Sequence, residues 1–355
     1  MPLLKSMKPE MEERTCIFGA SVMLKRLDDL RNEIGGVEMA GDIEFIHRMR
    51  VASRRLRSTF VHFQKCFPEK KVTIWQKQIR QVTKSLGMAR DLDVQIEAVK
   101  NAQENLEQIQ FRPGIHRLQL RLQQRREKIQ PQVVQAMASL RNSGVLEQMD
   151  QKLTEQAIKE DGSQPYTLQL YQLAYQAITQ QLDSLHAHEE LIFDPDQIEA
   201  LHAMRIDAKH LRYTLEIFAP LYAGRAEEFI KLVKTIQEFL GNIHDCDVWT
   251  TTLPEFVARE RERTRKYYGH EGPFNLLTPG INHFLDSQKS LRAELYTQFI
   301  HLWHTWKAQG VWENLNRTIE QPISFHSDSY SLPAPVTEKD NMQENPQNNG
   351  SCEQL

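Results

Sequence analysis

An all-α fold is predicted from three observations on this 355-residue chain. Glycine and proline number 15 each, whereas Leu, Gln, Arg, Glu and Ala dominate, a balance that favours helices over a strand-and-turn architecture. Apolar residues recur at helical spacing rather than in alternation. A series of motifs also occurs twice in the same order, so the chain reads as two related units of four helices each.

The elements follow in order. Residues 1–15, in which Lys and Glu alternate with apolar positions, form an N-terminal segment, and the first unit spans 16–150. Its first helix carries Leu27-Asp28-x-Leu30. The next runs through His47 to Phe63, with Met49, Ala52, Leu56, Phe60 and Phe63 on one side and Pro68 positioned to end it. A third holds Ile79-Arg80-x-Val82-x-x-x-Leu86-Gly87-x-x-Arg90-Asp91-x-Asp93-Val94, and Leu140-Arg141-x-x-Gly144-Val145-x-Glu147 marks the last segment. Polar residues 151–164, with the turn signal Asp161-Gly162-Ser163, form a linker. The second unit, 165–320, opens with a helical run from Pro165 to Glu190 that carries Leu182-Asp183-x-Leu185. Leu201, Met204, Leu211, Leu215 and Phe218 then repeat the apolar side of the basic helix, with Pro220 after it. Val233 to Val248 repeats the third motif with His244, Asp245 and Asp247, and Trp306-Lys307-x-x-Gly310-Val311-x-Glu313 repeats the last. The offset is about 155 residues for the first three pieces and 166 for the last, so Glu260 to Gly280 reads as an extended loop inserted in the second unit. Residues 321–355, rich in Ser, Pro, Asn and Gln, read as a disordered tail.

The repeated helix is cationic on one face. His47, Arg50, Arg54 and Arg57 answer to His202, Arg205, Lys209 and Arg212 in the pattern His-x-x-Arg-x-x-x-basic-x-x-Arg. At about 100° per residue these positions form one narrow stripe, a ladder of cations roughly 15 Å long. A solvated face is the plain reading of one such run, but here cations recur at four matched positions while neighbours change, Arg48 to Ala203 and Val61 to Glu216. Arginine suits phosphate because its planar guanidinium donates two parallel hydrogen bonds, lysine adds a point charge, and a polyanion nearby would favour protonated histidines. Lys77, Arg80, Lys84, Gly87 and Asp91 share a second face, as do Lys231, Lys234, Glu238, Gly241 and Asp245. Arg117, Arg121 and Arg125 suggest a third, with Arg126 alongside and Arg292 as its counterpart. Asp91, Asp93, Asp245 and Asp247 are expected to pin nearby arginines by salt bridges rather than bind a metal, since i, i+2 side chains diverge on a helix.

The net charge of −3 hides this basicity: the segment from Glu320 holds six acids against Lys339 alone, and removing it leaves the remainder at +2. His47 to Arg57 carries five arginines and no acid. Cys16, Cys66, Cys246 and Cys352 lack paired spacing, so neither a disulfide framework nor a zinc site is expected and a reducing compartment fits. With no hydrophobic leader and no apolar run of membrane length, a soluble cytoplasmic protein is expected. Gly-x-Ser-x-Gly, Walker A, His-Glu-x-x-His, dinucleotide fingerprints and an alternating Glu-x-Glu-x-Lys pattern are all missing. No catalytic residues, metal or cofactor are therefore expected, and binding is favoured over turnover.

At these motifs the chain resembles the CHAD family, the conserved-histidine α-helical domain. The residues that carry the resemblance are His47-x-Met49-Arg50-Val51-x-x-Arg54-x-Leu56-Arg57, Leu86-Gly87-x-x-Arg90-Asp91-x-Asp93-Val94 and His202-x-Met204-Arg205-Ile206-x-x-Lys209-x-Leu211-Arg212-Tyr213-x-x-Glu216, in the family's order. Coverage runs from about Cys16 to Leu315. The resemblance implies two antiparallel four-helix bundles related by a pseudo-twofold axis, in a stand-alone member without a triphosphate tunnel domain. It also implies basic helices facing a groove or pore that binds inorganic polyphosphate, with recruitment to polyphosphate granules as a consequence. His244 in place of an arginine, and Glu238 where the first half has Lys84, depart from that pattern. Two other classes compete: a single-stranded RNA or DNA backbone binder, although the stripes lack interleaved aromatics, and a metal-dependent phosphohydrolase with His47 or His202 as nucleophile. Oligomeric state is not legible in the sequence.

Overall fold

A computed structural model describes residues 11–39, 42–159 and 166–321, and these are all-α. Ten α-helices follow one another among the described residues: α1 (Glu13–Met39), α2 (Ile43–Phe63), α3 (Glu69–Glu104), α4 (Arg112–Asn142), α5 (Val145–Ala157), α6 (Leu168–His186), α7 (Ile198–Phe218), α8 (Glu227–Tyr268), α9 (Thr278–Ala308) and α10 (Val311–Glu320). Each half thus has five helices rather than four. The extra helix arises at matched glycines: Gly144 and Gly310 both take φ of 65°, a left-handed turn that breaks the chain between α4 and α5 and again between α9 and α10. Asp42 caps α2 by accepting from the Glu44 amide, and Thr167 caps α6 by accepting from the Leu170 amide.

Two expected boundaries and the reading of the cysteines differ from the structure. The polar stretch placed in a linker at 151–164 stays helical to Ala157, because Met149 and Leu153 are buried on the inner face of α5; Asp161-Gly162-Ser163 lies outside the described residues. Most of the supposed loop from Glu260 to Gly280 is also helical. α8 runs on to Tyr268, Gly269 ends it with φ of 77°, and α9 starts at Thr278 after a short 3₁₀ turn. Pro279-Gly280 begins a helix, as Pro113-Gly114 does in the first half. The two glycines let the starts of α4 and α9 cross with backbones touching: a Cβ on Gly114 would lie 2.1 Å from the Leu277 carbonyl oxygen, and one on Gly280 2.0 Å from that of Phe111. The third correction concerns cysteine. Cys16 and Cys66 form a disulfide, with Cα atoms 5.3 Å apart, because antiparallel packing returns the chain after α2 to the start of α1. Cysteine usage therefore gives no support to a reducing compartment. Cys246 is buried and unpaired, and Cys352, with the expected tail beyond Gln321, lies outside the described residues.

Every apolar residue expected on the inner side of the two basic helices is buried, from Met49 to Phe63 on α2 and from Leu201 to Phe218 on α7. They join one continuous core with Leu27, Trp75, Met137, Ile178, Leu182 and Trp303, which spans both halves. The matched Phe63 and Phe218 meet with ring centroids 5.9 Å apart. A smaller core of Leu92, Leu118, Leu122, Trp249, Ile281 and Phe284 binds the far ends of α3 and α4 to those of α8 and α9. α2 packs directly against α7, which settles where their polar stripes lie. No described helix is long and apolar enough to cross a membrane.

Candidate functional site

One acidic residue fixes the register of the two basic helices. Glu216 of α7 accepts two hydrogen bonds from the Arg55 guanidinium of α2, at 2.8 and 3.0 Å, and the Arg212 Nε lies 3.4 Å from the same carboxylate. Arg212, expected in the anion-binding stripe, is thus held by this clamp. Arg55 and Glu216 were not among the expected site residues, although the change from Val61 to Glu216 between the repeats was their signal.

Beside the clamp the two stripes converge. Lys209 of α7 is held down to about 8, first by burial and then by repulsion from Arg54, Arg205, Arg50 and Arg57. Arg50 is lowered by burial and by Arg54 and Arg205, with Asp91 opposing. Arg205 is lowered by burial and by Arg54, against Asp245 and Asp91, and Arg57 by burial, Arg80 and Arg54. Five cations from two helices therefore share one field. Arg54, Arg57, Arg205 and Lys209 have no carboxylate within 4.0 Å among the described residues, and Asp91 approaches Arg50 only to 3.6 Å.

The neighbouring helices shape this cluster. A Cβ on Gly87 of α3 would lie 2.7 Å from the Arg50 Nη1, so glycine lets that guanidinium rest on the helix backbone; Gly241 of α8 stands opposite Arg205 with more room, since a Cβ there would make ordinary contact at 3.6 Å. A buried hydrogen bond from Thr83 to Ser53, 3.0 Å long, ties α3 to α2. Lys77, Arg80 and Lys84 stand exposed along α3, of which Arg80 is felt by Arg57. Lys231 and Lys234 are exposed on α8, and Lys234 lies 3.5 Å from Glu238. Of the four aspartates expected to pin arginines, Asp93 accepts from Arg126 at 2.7 Å and Asp247 from Arg292, which also donates to the Pro195 carbonyl at 2.9 Å, whereas Asp91 reaches Arg50 only at 3.6 Å and Asp245 has no arginine within 4.0 Å among the described residues. Arg126 and Arg292 are braces, and their charge is already met.

The ends of the two stripes differ. His47 is lowered by burial and by Arg90. At the matched place His202 and His244 meet Nδ1 to Nδ1 at 3.0 Å, and His244 falls to about 4 through burial and the nearby Arg205 and His202. Without a bound anion the histidines are thus biased towards the neutral form.

The third basic face is corrected. Arg121 does not join the cluster but donates to Glu260 of α8 at 2.9 and 3.0 Å, and Arg117 and Arg263 close on the same carboxylate at 2.6 and 3.1 Å. Glu260 is completely buried; burial pushes its pKa up, but the hydrogen bonds from Arg121, Arg117 and Arg263 prevail and bring it to about 2. Arg125 is exposed on the adjoining face of α4. Two cavities of about 290 Å³ lie away from Lys209, one lined by Gln78, Gln81, Gln132 and Gln135, the other by Asp93, Arg126 and Gln130. The described residues gather no group of three His, Cys, Asp or Glu side chains suited to a metal ion.

Comparisons with known proteins agree with this architecture. The chain resembles two Mycobacterium tuberculosis sequences, Uncharacterized protein MT2285 of strain CDC 1551 / Oshkosh and Uncharacterized protein Rv2226 of strain ATCC 25618 / H37Rv, each 27% identical over 211 residues. The match takes in 57% of this chain but only 38% of those relatives. Among solved structures, the CHAD domain from the plant Ricinus communis superposes with a TM-score of 0.55 at 24% identity, covering 79% of this chain and 91% of that one. PptA from Streptomyces chartreusis gives 0.55 at 15% identity, covering 81% and 98%. Both likenesses are of fold. The family model for the CHAD domain matches residues 21–254, a span that holds both cationic stripes and both aspartate motifs, and the chain belongs to the CHAD family.

Proposed function

We propose that the cation cluster between α2 and α7 binds inorganic polyphosphate without turning it over. The observation that carries this reading is the crowding of cations around Lys209: burial and cationic neighbours lower Lys209, Arg50, Arg57 and Arg205, and among the described residues no carboxylate comes within 4.0 Å of Arg54, Arg57, Arg205 or Lys209. A chain of phosphates supplies regularly spaced negative charge to both stripes at once. Each contact with a solvated cation is worth about 1 kcal/mol or less, but successive phosphates on one chain act at high effective concentration. Long chains are therefore preferred over orthophosphate, and the exposed Lys77, Arg80, Lys84 and Lys231 extend the track beyond the centre. Recruitment to polyphosphate granules in the cytoplasm would need nothing more than this affinity.

The test is calorimetric titration with polyphosphates of graded length. Wild type should bind more tightly as chains lengthen, and a variant with Arg50, Arg54, Arg205 and Lys209 changed to Glu should lose about 100-fold or more in affinity. Undiminished binding by that variant would refute the proposal. Competition with single-stranded RNA at fixed salt separates the nucleic-acid reading, which requires RNA to displace polyphosphate. Phosphate release with Mg²⁺ or Mn²⁺, abolished by His47→Ala, would establish turnover instead.

A further inference from the structure

The aspartate braces of the two halves are finished differently, and the second half shows what the first lacks. Arg292 donates from Nη2 to the Pro195 carbonyl and the Tyr296 hydroxyl to the Ile192 carbonyl, both at 2.9 Å, which fastens the segment 187–197 between α6 and α7 beside the Asp247 brace. The matched residues of the first half are Arg126 and Gln130, and there only residues 40–42 join α1 to α2. Where the second half has this strap, the first has the cavity of about 290 Å³ lined by Asp93, Arg126 and Gln130. Their hydrogen bonding is incomplete. Arg126 donates from Nε to Asp93 at 2.7 Å and from Nη1 to the Gln130 Oε1 at 2.8 Å, but its Nη2 donates to no described residue. Because arginine can only donate, it also turns the Gln130 amide so that Nε2 points elsewhere, and this buried Nε2 and the buried Asp93 Oδ2 have no partner.

We infer that this cavity is a docking site for a short basic peptide segment of a partner protein. Its backbone carbonyls accept from Arg126 and Gln130 as those of Pro195 and Ile192 accept from Arg292 and Tyr296, and the Asp93 Oδ2 is left to accept an N–H of the guest. A glutamine reaches less far than a tyrosine, so the guest carbonyl must enter deeper, and the cavity gives it room. The rim supplies the charge preference. Glu97, Lys100 and Glu127 line the cavity without an ion pair among the described residues, which leaves one net negative charge beyond the pair of Asp93 with Arg126. Their counterparts Thr251, Pro254 and Ala293 are uncharged, so the fold does not require charge at these positions. A basic side chain on the guest meets it. This site lies away from Lys209 and goes beyond the proposed function.

The experiment is fluorescence anisotropy of two labelled hexapeptides titrated with the full chain. Both repeat residues 191–196, one with Asp194→Lys and Asp196→Lys, the other with Asp194→Ala and Asp196→Ala. The basic peptide should bind saturably and about three-fold tighter than the neutral one, the worth of one solvated ion pair. Glu97→Gln with Glu127→Gln, both at exposed positions, should remove that preference. Gln130→Leu should weaken both peptides about five-fold by deleting one donor. Carbodiimide coupling of the basic peptide, read by peptide mass spectrometry, should join its lysines to Glu97 or Glu127. If Gln130→Leu does not fold, the rim variant and the coupling decide the question alone. An unchanged preference in the rim variant, or coupling only to acids elsewhere, would overturn the proposal.

Discussion

At the contact of α4 with α8, Arg117, Arg121 and Arg263 close on the buried carboxylate of Glu260, whereas at the contact of α2 with α7, Arg50, Arg54, Arg57, Arg205 and Lys209 face one another. Both regions place arginines at helical spacing on packed helices. In the first, three guanidiniums surround one acid, their charge is partly met inside the protein, and the arrangement braces the two halves. In the second, Glu216 is taken by Arg55 and Arg212, and among the described residues no carboxylate comes within 4.0 Å of Arg54, Arg57, Arg205 or Lys209. Whether a basic stripe is braced or left without an ion-pair partner thus depends on an acid supplied by another element.

The comparison is broken most directly at Glu260. Glu260→Gln leaves three arginines without their acid, and removing one member of a buried ion cluster costs about 3 kcal/mol, less here because the arginines reach solvent. Urea denaturation should therefore show a loss of about 2 kcal/mol. Polyphosphate affinity should hardly change, and a loss there comparable to that of the four-residue variant would mean that the two regions are not separate in function.

Lys209 should show the opposite sign. Its folded value of about 8 lies below the ordinary 10.5, so between those values the unfolded chain binds more protons and stability rises with pH. Below pH 8 the penalty is fully present. Lys209→Met removes it, so this variant should melt higher than wild type at pH 7 and 0.05 M salt while binding polyphosphate less well, with the gain shrinking as pH approaches 10.5. A lower melting temperature at pH 7 would show that Lys209 is already neutralised inside the protein.

What could be read from the sequence divides along the same line. The stripes on α2 and α7 were legible because helical spacing is local and the chain states the pattern twice. Duplication likewise marked the aspartates as salt-bridge formers but not their partners: Arg126 and Arg292 read as anion-binding residues, and only packing joins them to Asp93 and Asp247. Arg121 was misread because its partner sits 139 residues away in the run Glu260-Arg261-Glu262-Arg263, which has the look of a solvated charged face. The disulfide was hidden for a related reason: Cys16 and Cys66 are 50 residues apart and meet only once α1 and α2 pack antiparallel. Pro279-Gly280 has the composition of a turn, and only the crossing of α4 and α9 explains a glycine there.

The finest contrast lies within the cluster itself, between its two ends. Arg90 stands beside His47 and lowers it, but its counterpart His244 is held to about 4 by burial and by Arg205 and His202, while His202 is lowered by burial, Arg205 and Lys209 against Asp247. Because that folded value lies below the ordinary 6.5, protonating His244 destabilises the protein as pH falls from 6.5 through 4. A bound polyanion reverses the balance by favouring the imidazolium, so affinity should rise as pH drops through the same range. Two protonated rings cannot keep an Nδ1 to Nδ1 hydrogen bond, so the 3.0 Å contact must open as the second proton arrives. His244→Arg gives the second half the residue of the first. At pH 8 it should tighten polyphosphate binding by about three-fold, the worth of one solvated ion pair, and titrations at pH 8 and 5.5 should show a flatter dependence than wild type. If both proteins gain equally on acidification, the proton goes elsewhere in the cluster, and the two ends are electrostatically equivalent despite the difference in residue.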